Sequence, residues 1–229
     1  MASFNWIGQI EGVTHANLHI ATSFVSAGLM ILMAAIGRIA LGKGHEAVIP
    51  AKGFSIKGFF EQLTEFNASL ADSVIGHGSR PFVPMFTGIF FFIFFNNVFG
   101  LIPGLTPSTE NINTGMAVGL FVFVIYNFFG FKVHGLAYFK QFMGPIWWLA
   151  PFLFLVEMLS HLVRPLTLGL RLKANMSADH MVLGVFTDLV PYIVPIPFYF
   201  MGLFVSAMQA FVFTILSMIY ISMAMSHDH

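Results

Sequence analysis

The chain has 229 residues, of which 57% are hydrophobic and 9% are charged, and its formal net charge is zero. Soluble domains carry about 25% charged residues, so this composition excludes a soluble globule and indicates a polytopic membrane protein. A zero net charge argues against a nucleic-acid-binding surface, which has to be basic. The sequence contains no cysteine, which excludes disulfides and thiolate metal sites.

The first half of the chain contains three predicted membrane spans and one surface helix. A span needs about 20 apolar residues, and the first runs from His19 to Leu41. The second and third are predicted at residues 81–101 and 116–131, with a turn-rich loop between them. Between the first two spans, apolar residues recur at helical spacing and predict an interfacial amphipathic helix; they are Phe59, Phe60, Leu63, Phe66, Leu70 and Val74.

The second half begins with residues 145–186, which are mostly apolar but interrupted by polar residues. This stretch is too long for one span, and we interpret it as a long helical hairpin whose polar residues face protein or water. The final helix, from Phe198 to Met225, is longer than a bilayer requires and should tilt or protrude. The predicted fold is therefore an all-α polytopic membrane protein, with about five membrane-inserted helices, an interfacial amphipathic helix and a long tilted helical hairpin in the C-terminal half. We expect one membrane domain with three parts, 1–80, 81–140 and 141–229.

The basic residues predict the orientation in the membrane. Seven of the ten lie near the loop after the first span or the loop after the third; they are Arg38, Lys43, Lys52, Lys57, Arg80, Lys132 and Lys140. Positively charged loops stay in the cytoplasm, which places the N-terminus outside. An odd number of crossings then places the C-terminus in the cytoplasm. The N-terminal stretch has neither the basic region nor the short apolar core of a signal peptide, and we expect none.

A polar stripe runs along the predicted hairpin. Glu157, Arg164 and Arg171 are each seven residues apart, close to two helical turns. The same face carries Ser160, Thr167 and Asn175, and His161 borders it. A charge at the bilayer centre costs roughly 2.5–3.5 kcal/mol, so such a stripe indicates function. We interpret it as a surface that slides past another helical surface carrying acidic groups.

Arginine suits such a surface because its guanidinium stays protonated and can hold a carboxylate ionised where the dielectric constant is low. It would also block a continuous proton wire by repulsion. Other interpretations remain open at this point. Arg171 can form a structural ion pair with Glu157 or Asp179, whereas Arg164 and Lys173 can extend to the membrane surface.

The segment "LVEMLSHLVRPLTLGLRLKANMSADHMVLGVF" resembles the signature region of subunit a of F-type ATP synthases. Four further motifs match that family in order, over most of the chain from Arg80 onward; they are "NNVFGLIPG", "TPSTENINTGMA", "GPIWWLAPFLFLVE" and "SAMQAFVFTILSMIYISMA".

The resemblance implies a proton-translocating stator subunit beside a ring of c subunits. Two offset half-channels would load and unload an acidic residue on each c subunit, with Arg171 as the essential arginine that separates them. Asn175 and Gln209 match family positions near that arginine. Glu157 matches the acid of the cytoplasmic half-channel, with Ser160 and His161 as polar lining. Arg164 is a possible second basic residue.

The chain departs from the family pattern at several positions of the implied proton path. His180 stands where many members have glutamate, and Gly202 where some have histidine. The acidic partner expected for a relay histidine is missing from its usual place, and Asp179 is the nearest replacement. On a straight helix His180 lies opposite Arg171. In the outer loop, Glu110, Asn111 and Asn113 are candidates for lining the access route.

The alternative function is an ion-coupled secondary transporter with an intramembrane Arg/Glu site. Transporters usually show paired repeats and a midplane substrate site, and neither is visible here. As partners, the resemblance implies the c ring, b-type peripheral stalk subunits, membrane lipid and a translocated proton, with sodium left open. We expect no cofactor, no metal, no nucleic acid and no ATP chemistry on this chain. A bacterial inner membrane is the expected location.

Overall fold

The computed structural model describes most of the chain, namely residues 17–40, 56–76, 78–102, 104–135, 138, 148–189 and 195–225. All regular secondary structure in these ranges is helical, which confirms the predicted all-α fold. The six long helices are α1 (Leu18–Ala40), α2 (Ile56–Ile75), α3 (Val83–Phe99), α4 (Ile112–His134), α5 (Ala150–Leu189) and α6 (Pro195–Met225). Within the described residues, five helical stretches are long and apolar enough to cross a membrane. They correspond to every long helix except α2. The basic residues Lys43, Lys52 and Lys140 lie outside the described ranges.

Helix α2 is the predicted amphipathic helix. Its apolar side, including Leu63, Leu70 and Ala71, packs against the core formed by α3 and α6. Near its end, the Ser222 hydroxyl of α6 donates to the Val74 carbonyl at 3.0 Å. Phe59 and Phe66 remain exposed, at 47% and 42%. Exposed phenylalanines beside a polar face are what a helix at a membrane surface requires.

Helix α5 corrects the interpretation of residues 145–186. Within the described residues this stretch does not turn back on itself; Ala150–Leu189 form one continuous helix of 40 residues. The hairpin of the C-terminal half is instead made by α5 and α6, which pack together. Pro165 lies inside α5 without ending it, because a membrane helix can lose one backbone hydrogen bond when neighbouring helices enclose it. At 1.5 Å per residue, α5 is about 60 Å long, twice the hydrocarbon thickness, so it must be steeply inclined or extend beyond the bilayer.

Close contact between α4 and α5 fixes the position of α5. Gly115 and Gly119 of α4 face Gly169 and Pro165 of α5. A Cβ atom added to Gly115 would lie 2.8 Å from the Gly169 carbonyl oxygen, and one added to Gly119 would lie 2.7 Å from that of Pro165. Small residues four apart let the backbones of membrane helices approach this closely. The contact therefore determines which face of α5 points away from the rest of the protein.

Replacing Gly119 should separate these helices. We expect Gly119→Leu to destabilise the protein by about 1–3 kcal/mol, the usual cost of overpacking, because the obstacle is backbone that cannot rotate away. The amount of the chain that survives heating in detergent measures this effect. Gly88→Leu is the matched control, since a Cβ on Gly88 meets nothing within 4 Å. Equal stability of the two variants would contradict a tight α4–α5 contact.

The loop between α3 and α4 is held in place by side-chain hydrogen bonds. The buried Asn96 Oδ1 accepts from Ser26 Oγ at 3.0 Å and from Ser108 Oγ at 2.5 Å. Asn97 Oδ1 accepts from Thr109 Oγ1 at 2.7 Å. Asn111 then caps α4, its side chain accepting from the Asn113 backbone N–H at 2.9 Å. These bonds give "NN" and "STEN" a physical role, because they hold Glu110, which lies between Thr109 and Asn111, in a fixed position.

Candidate functional site

The polar stripe of α5 divides into residues that face outward and residues that contact other helices. Ser160, Thr167 and Arg171 are exposed, whereas Glu157, Arg164 and Asn175 are partly buried. Gly169 and Met176, about 160° and 140° around the axis from Arg171, are buried and anchor the opposite side of the helix in the core, with Met176 at 1% exposure. Because a helix is rigid, burying that side turns Arg171 outward.

Arg171 makes no ion pair with any residue that the structure describes. The alternative of a structural pair with Glu157 or Asp179 is therefore wrong for the described residues. Glu157 Oε1 lies 3.7 Å from Arg164 Nη2 instead, and Asp179 is a neighbour of His180. Lys173 is exposed and its side chain belongs to another face of α5. The stripe thus presents one outward arginine whose charge is not neutralised within the described part of the chain.

Arg164 differs from Arg171 because it is held inside the protein. Its guanidinium carbon lies 5.2 Å from the centre of the Tyr220 ring of α6. Its side chain is 18% exposed, compared with 45% for Glu157. Arg164 therefore packs between α5 and α6.

Asn175 and Gln209 form a polar bridge between α5 and α6. Asn175 Nδ2 donates to Gln209 Oε1 at 2.6 Å, one helical turn from Arg171. The bridge leaves Gln209 Nε2 without a partner although Gln209 is only 4% exposed. Ser206, one turn earlier and fully buried, has an unpartnered hydroxyl as well. Buried polar atoms of this kind are normally satisfied by water.

His180 lies in the C-terminal quarter of α5 and contacts the loop between α3 and α4. Its Nδ1 is 3.3 Å from Glu110 Oε2, and its Nε2 is 2.5 Å from the Gly100 carbonyl oxygen. The acidic partner of His180 is thus Glu110 and not Asp179, whose Oδ2 is buried without a hydrogen bond. Sequence reasoning placed Glu110 in the outer loop but missed this pairing, because the two residues are 70 positions apart.

His161 occupies a different environment from the stripe. It is 7% exposed and faces α4, where its ring meets the Tyr126 ring edge-to-face at 5.1 Å. Its Nε2 lies 3.3 Å from the hydroxyl of Tyr138, which also donates to Asn127 Oδ1 at 3.3 Å. Burial raises the pKa of Tyr138, so its hydroxyl stays protonated at neutral pH. This arrangement suits the attachment of Tyr138 to α4 and α5 better than contact with a moving partner.

Gly202 is buried against Leu101, whose Cδ2 would lie 2.4 Å from an added Cβ. A histidine at position 202 would need the Leu101 side chain to move. The space beside Gly202 is therefore filled by the loop between α3 and α4. The same loop carries Glu110 toward His180.

Together these helices define a multi-pass membrane protein with a charged, outward-facing helix surface inside its apolar region. The family model described as ATP synthase A chain matches residues 5–222. The ATP synthase subunit a of Bdellovibrio bacteriovorus is 53% identical over 228 residues, which cover 99% of this chain and all of that protein. The ATP synthase subunit a of Geobacter sulfurreducens is 41% identical over 174 residues, 76% of each chain. ATP synthase subunit a 1 of Syntrophotalea carbinolica is 46% identical over 160 residues, 70% of this chain and 68% of that one.

The chain therefore belongs to the ATP synthase A chain family, the subunits a of ATP synthases. The family resemblance found in the sequence is confirmed over nearly the whole length. Membership in this family connects the chain with ATP synthesis and proton transport in the membrane sector of that complex.

Proposed function

We propose that this chain is the proton-translocating stator subunit of a rotary ATP synthase, and that Arg171 separates two half-channels. The observation that carries the proposal is the position of Arg171: exposed, without a carboxylate partner among the described residues, on the polar face of a membrane helix. An unpaired guanidinium in an apolar environment is costly. The cost is offset when a carboxylate of the rotating c ring passes in front of it.

The positions of the titratable groups along α5 support two half-channels. Glu157 precedes Arg171 by 14 residues and His180 follows it by 9, about 21 Å and about 13 Å along the axis. The two outer groups are thus about 34 Å apart along the axis of α5, and an inclination of this helix makes their separation across the bilayer smaller. Each group lies toward one membrane surface with the arginine between them, which is the arrangement that two offset half-channels require.

The outer half-channel begins, in this proposal, at Glu110 and His180. An imidazole that titrates near neutral pH can pass protons between water and a buried route. Beyond it lie buried polar atoms without partners, including Asp179 Oδ2, Ser206 Oγ and Gln209 Nε2. Water bound to such atoms would connect His180 with the Asn175–Gln209 bridge beside Arg171. The inner half-channel uses Glu157 with the exposed Ser160, while His161 lines the wall behind them.

The proposed orientation follows the positive loops. It places the N-terminus outside, the loop around Tyr138 in the cytoplasm and the C-terminus in the cytoplasm, in the cell inner membrane. The contact of His180 with the loop at Gly100, and that of Ser222 with Val74, join elements that this orientation assigns to the same side. Partners in the proposal are the c ring, b-type peripheral stalk subunits and lipid. The transported ion is the proton.

Cysteine cross-linking tests where the ring docks. The chain has no native cysteine, so a single Thr167→Cys variant can be combined with a cysteine introduced one turn from the ring carboxylate. We expect disulfide formation in membranes, because Thr167 is exposed on the same face as Arg171. Leu120→Cys on α4, 47% exposed, is the matched control and should form none. Cross-linking of both positions, or of Leu120→Cys alone, would contradict docking on the α5 face.

A further inference from the structure

Arg164 is held between a carboxylate on its own helix and an aromatic ring on the next. Its Nη2 lies 3.7 Å from Glu157 Oε1, and its guanidinium carbon lies 5.2 Å from the centre of the Tyr220 ring. We propose that Tyr220 is a positioning residue whose ring face holds the Arg164 guanidinium beside Glu157 and away from the track of the ring carboxylate. This inference rests on the proposed function, in which Glu157 exchanges protons on the cytoplasmic side.

The Glu157–Arg164 pair has an unusual spacing. Ion pairs along a helix normally join residues three or four apart, whereas these residues are seven apart, about 10 Å along the axis. An arginine side chain leans toward the N-terminus of its helix but must extend fully to reach two turns back. A side chain with this many rotatable bonds keeps one extended conformation only where another group immobilises it.

Tyr220 is suited to that task because its own ring is fixed. It lies 6.1 Å from the ring of Tyr126, which is 1% exposed and packs in turn against His161. A partly desolvated guanidinium above such a ring gains a cation–π attraction. Glu157 contacts Arg164 through Oε1, and the side chain of the acid remains 45% exposed. The carboxylate is thus accompanied by a positive charge without being closed off from water.

Holding Arg164 in place prevents it from competing with Arg171 for the carboxylate of a c subunit. Arg164 and Arg171 project from the same face of α5, and either could attract a passing carboxylate. The structure separates their roles: Arg171 is exposed, whereas Arg164 is covered by Tyr220. Without the aromatic side chain of Tyr220, Arg164 would be free to turn outward. It could then bind the carboxylate of a c subunit before that carboxylate reaches Arg171.

The test is the initial rate of ATP-driven proton pumping in inverted vesicles that contain the whole complex, normalised to the assembled complex. We expect Tyr220→Leu to lower the rate about fivefold, the loss expected for a cation–π contact of ordinary strength. Tyr220→Phe retains the ring and should restore most of the rate. Phe128→Leu, at a 62% exposed position on α4, controls for loss of an aromatic ring and should match the unchanged protein. If Tyr220→Leu does not assemble, Tyr220→Met replaces it, because it fills a similar volume without a ring.

A double variant separates positioning from structure. In an Arg164→Gln background, Tyr220→Leu should cause no further loss, because its effect acts through the guanidinium. Additive losses, an unchanged rate in Tyr220→Leu, or a Tyr220→Phe variant as slow as Tyr220→Leu would each overturn the inference. Arg171→Ala, measured in the same vesicles, separates failure of this inference from failure of the proposed function. Normal pumping by Arg171→Ala refutes the proposed function. An inactive Arg171→Ala together with unchanged rates in the Tyr220 variants refutes only the inference about Tyr220.

Discussion

Arg171→Ala is expected to abolish both ATP synthesis and ATP-driven proton pumping while the complex still assembles. At about 4 Å and an effective dielectric constant near 20, attraction between a guanidinium and a carboxylate is on the order of 4 kcal/mol. Losing it changes the occupancy of the ionised ring carboxylate at this position by a factor of about 1,000. Assembly should survive, because Arg171 is exposed and makes no ion pair within the described residues.

The same variant should also make the membrane sector leaky to protons. A fixed positive charge repels a proton and interrupts a water-filled route, so its removal joins the half-channels. Vesicles stripped of the soluble sector then lose an imposed pH gradient faster than those with the unchanged protein. Lys173→Ala is the matched control, since Lys173 is an exposed cation two positions away on another face. Normal pumping in Arg171→Ala, or an equal defect in Lys173→Ala, would refute the role given to Arg171.

His180→Leu is expected to reduce proton flux about a hundredfold, the low end of the range attributed to a positioned acid–base group. The reason is the location of His180, where one ring nitrogen faces Glu110 and the other faces the Gly100 carbonyl. If the two residues act as one relay, Glu110→Gln should produce a similar loss, and the double variant should be no slower than either single variant. Proton flux across a range of external pH in stripped vesicles is the measurement.

The exchanged pair provides a sharper test of this relay. Glu110→His combined with His180→Glu keeps both groups in place and should recover part of the flux that each single change removes. Asp188→Asn is the control, because Asp188 is another acidic residue, exposed near the C-terminal end of α5. Strictly additive single effects, or a defect in Asp188→Asn as large as that in Glu110→Gln, would contradict a relay through Glu110 and His180.

The sequence predicted the spans because their signal is local. The predicted first span, His19–Leu41, differs by one residue at each end from α1, Leu18–Ala40. A bilayer requires about 20 apolar residues in succession, and such a run is visible without knowing its neighbours. The prediction failed for residues 145–186, because length and polarity alone cannot distinguish a hairpin from one long inclined helix. That choice depends on α4, whose Gly115 and Gly119 pack along α5.

The candidate site was likewise predictable from the sequence only in part. Its periodicity along α5 followed from the residues themselves, and so did the alignment of Glu157, Arg164 and Arg171. The partners of these residues did not follow, because they are supplied by other helices. Tyr220 of α6 covers Arg164, and Gln209 bonds to Asn175.

The sequence by itself determined the membrane class, the helical fold and the polar face of α5, because hydropathy and helical spacing are properties of neighbouring residues. Only the tertiary structure decided that Arg171 is the outward cation, that Arg164 is held inside, and that Glu110 is the partner of His180. The reason is the same in each case. Whether a charged side chain finds a partner depends on residues far away in the chain, and these meet only when the helices pack.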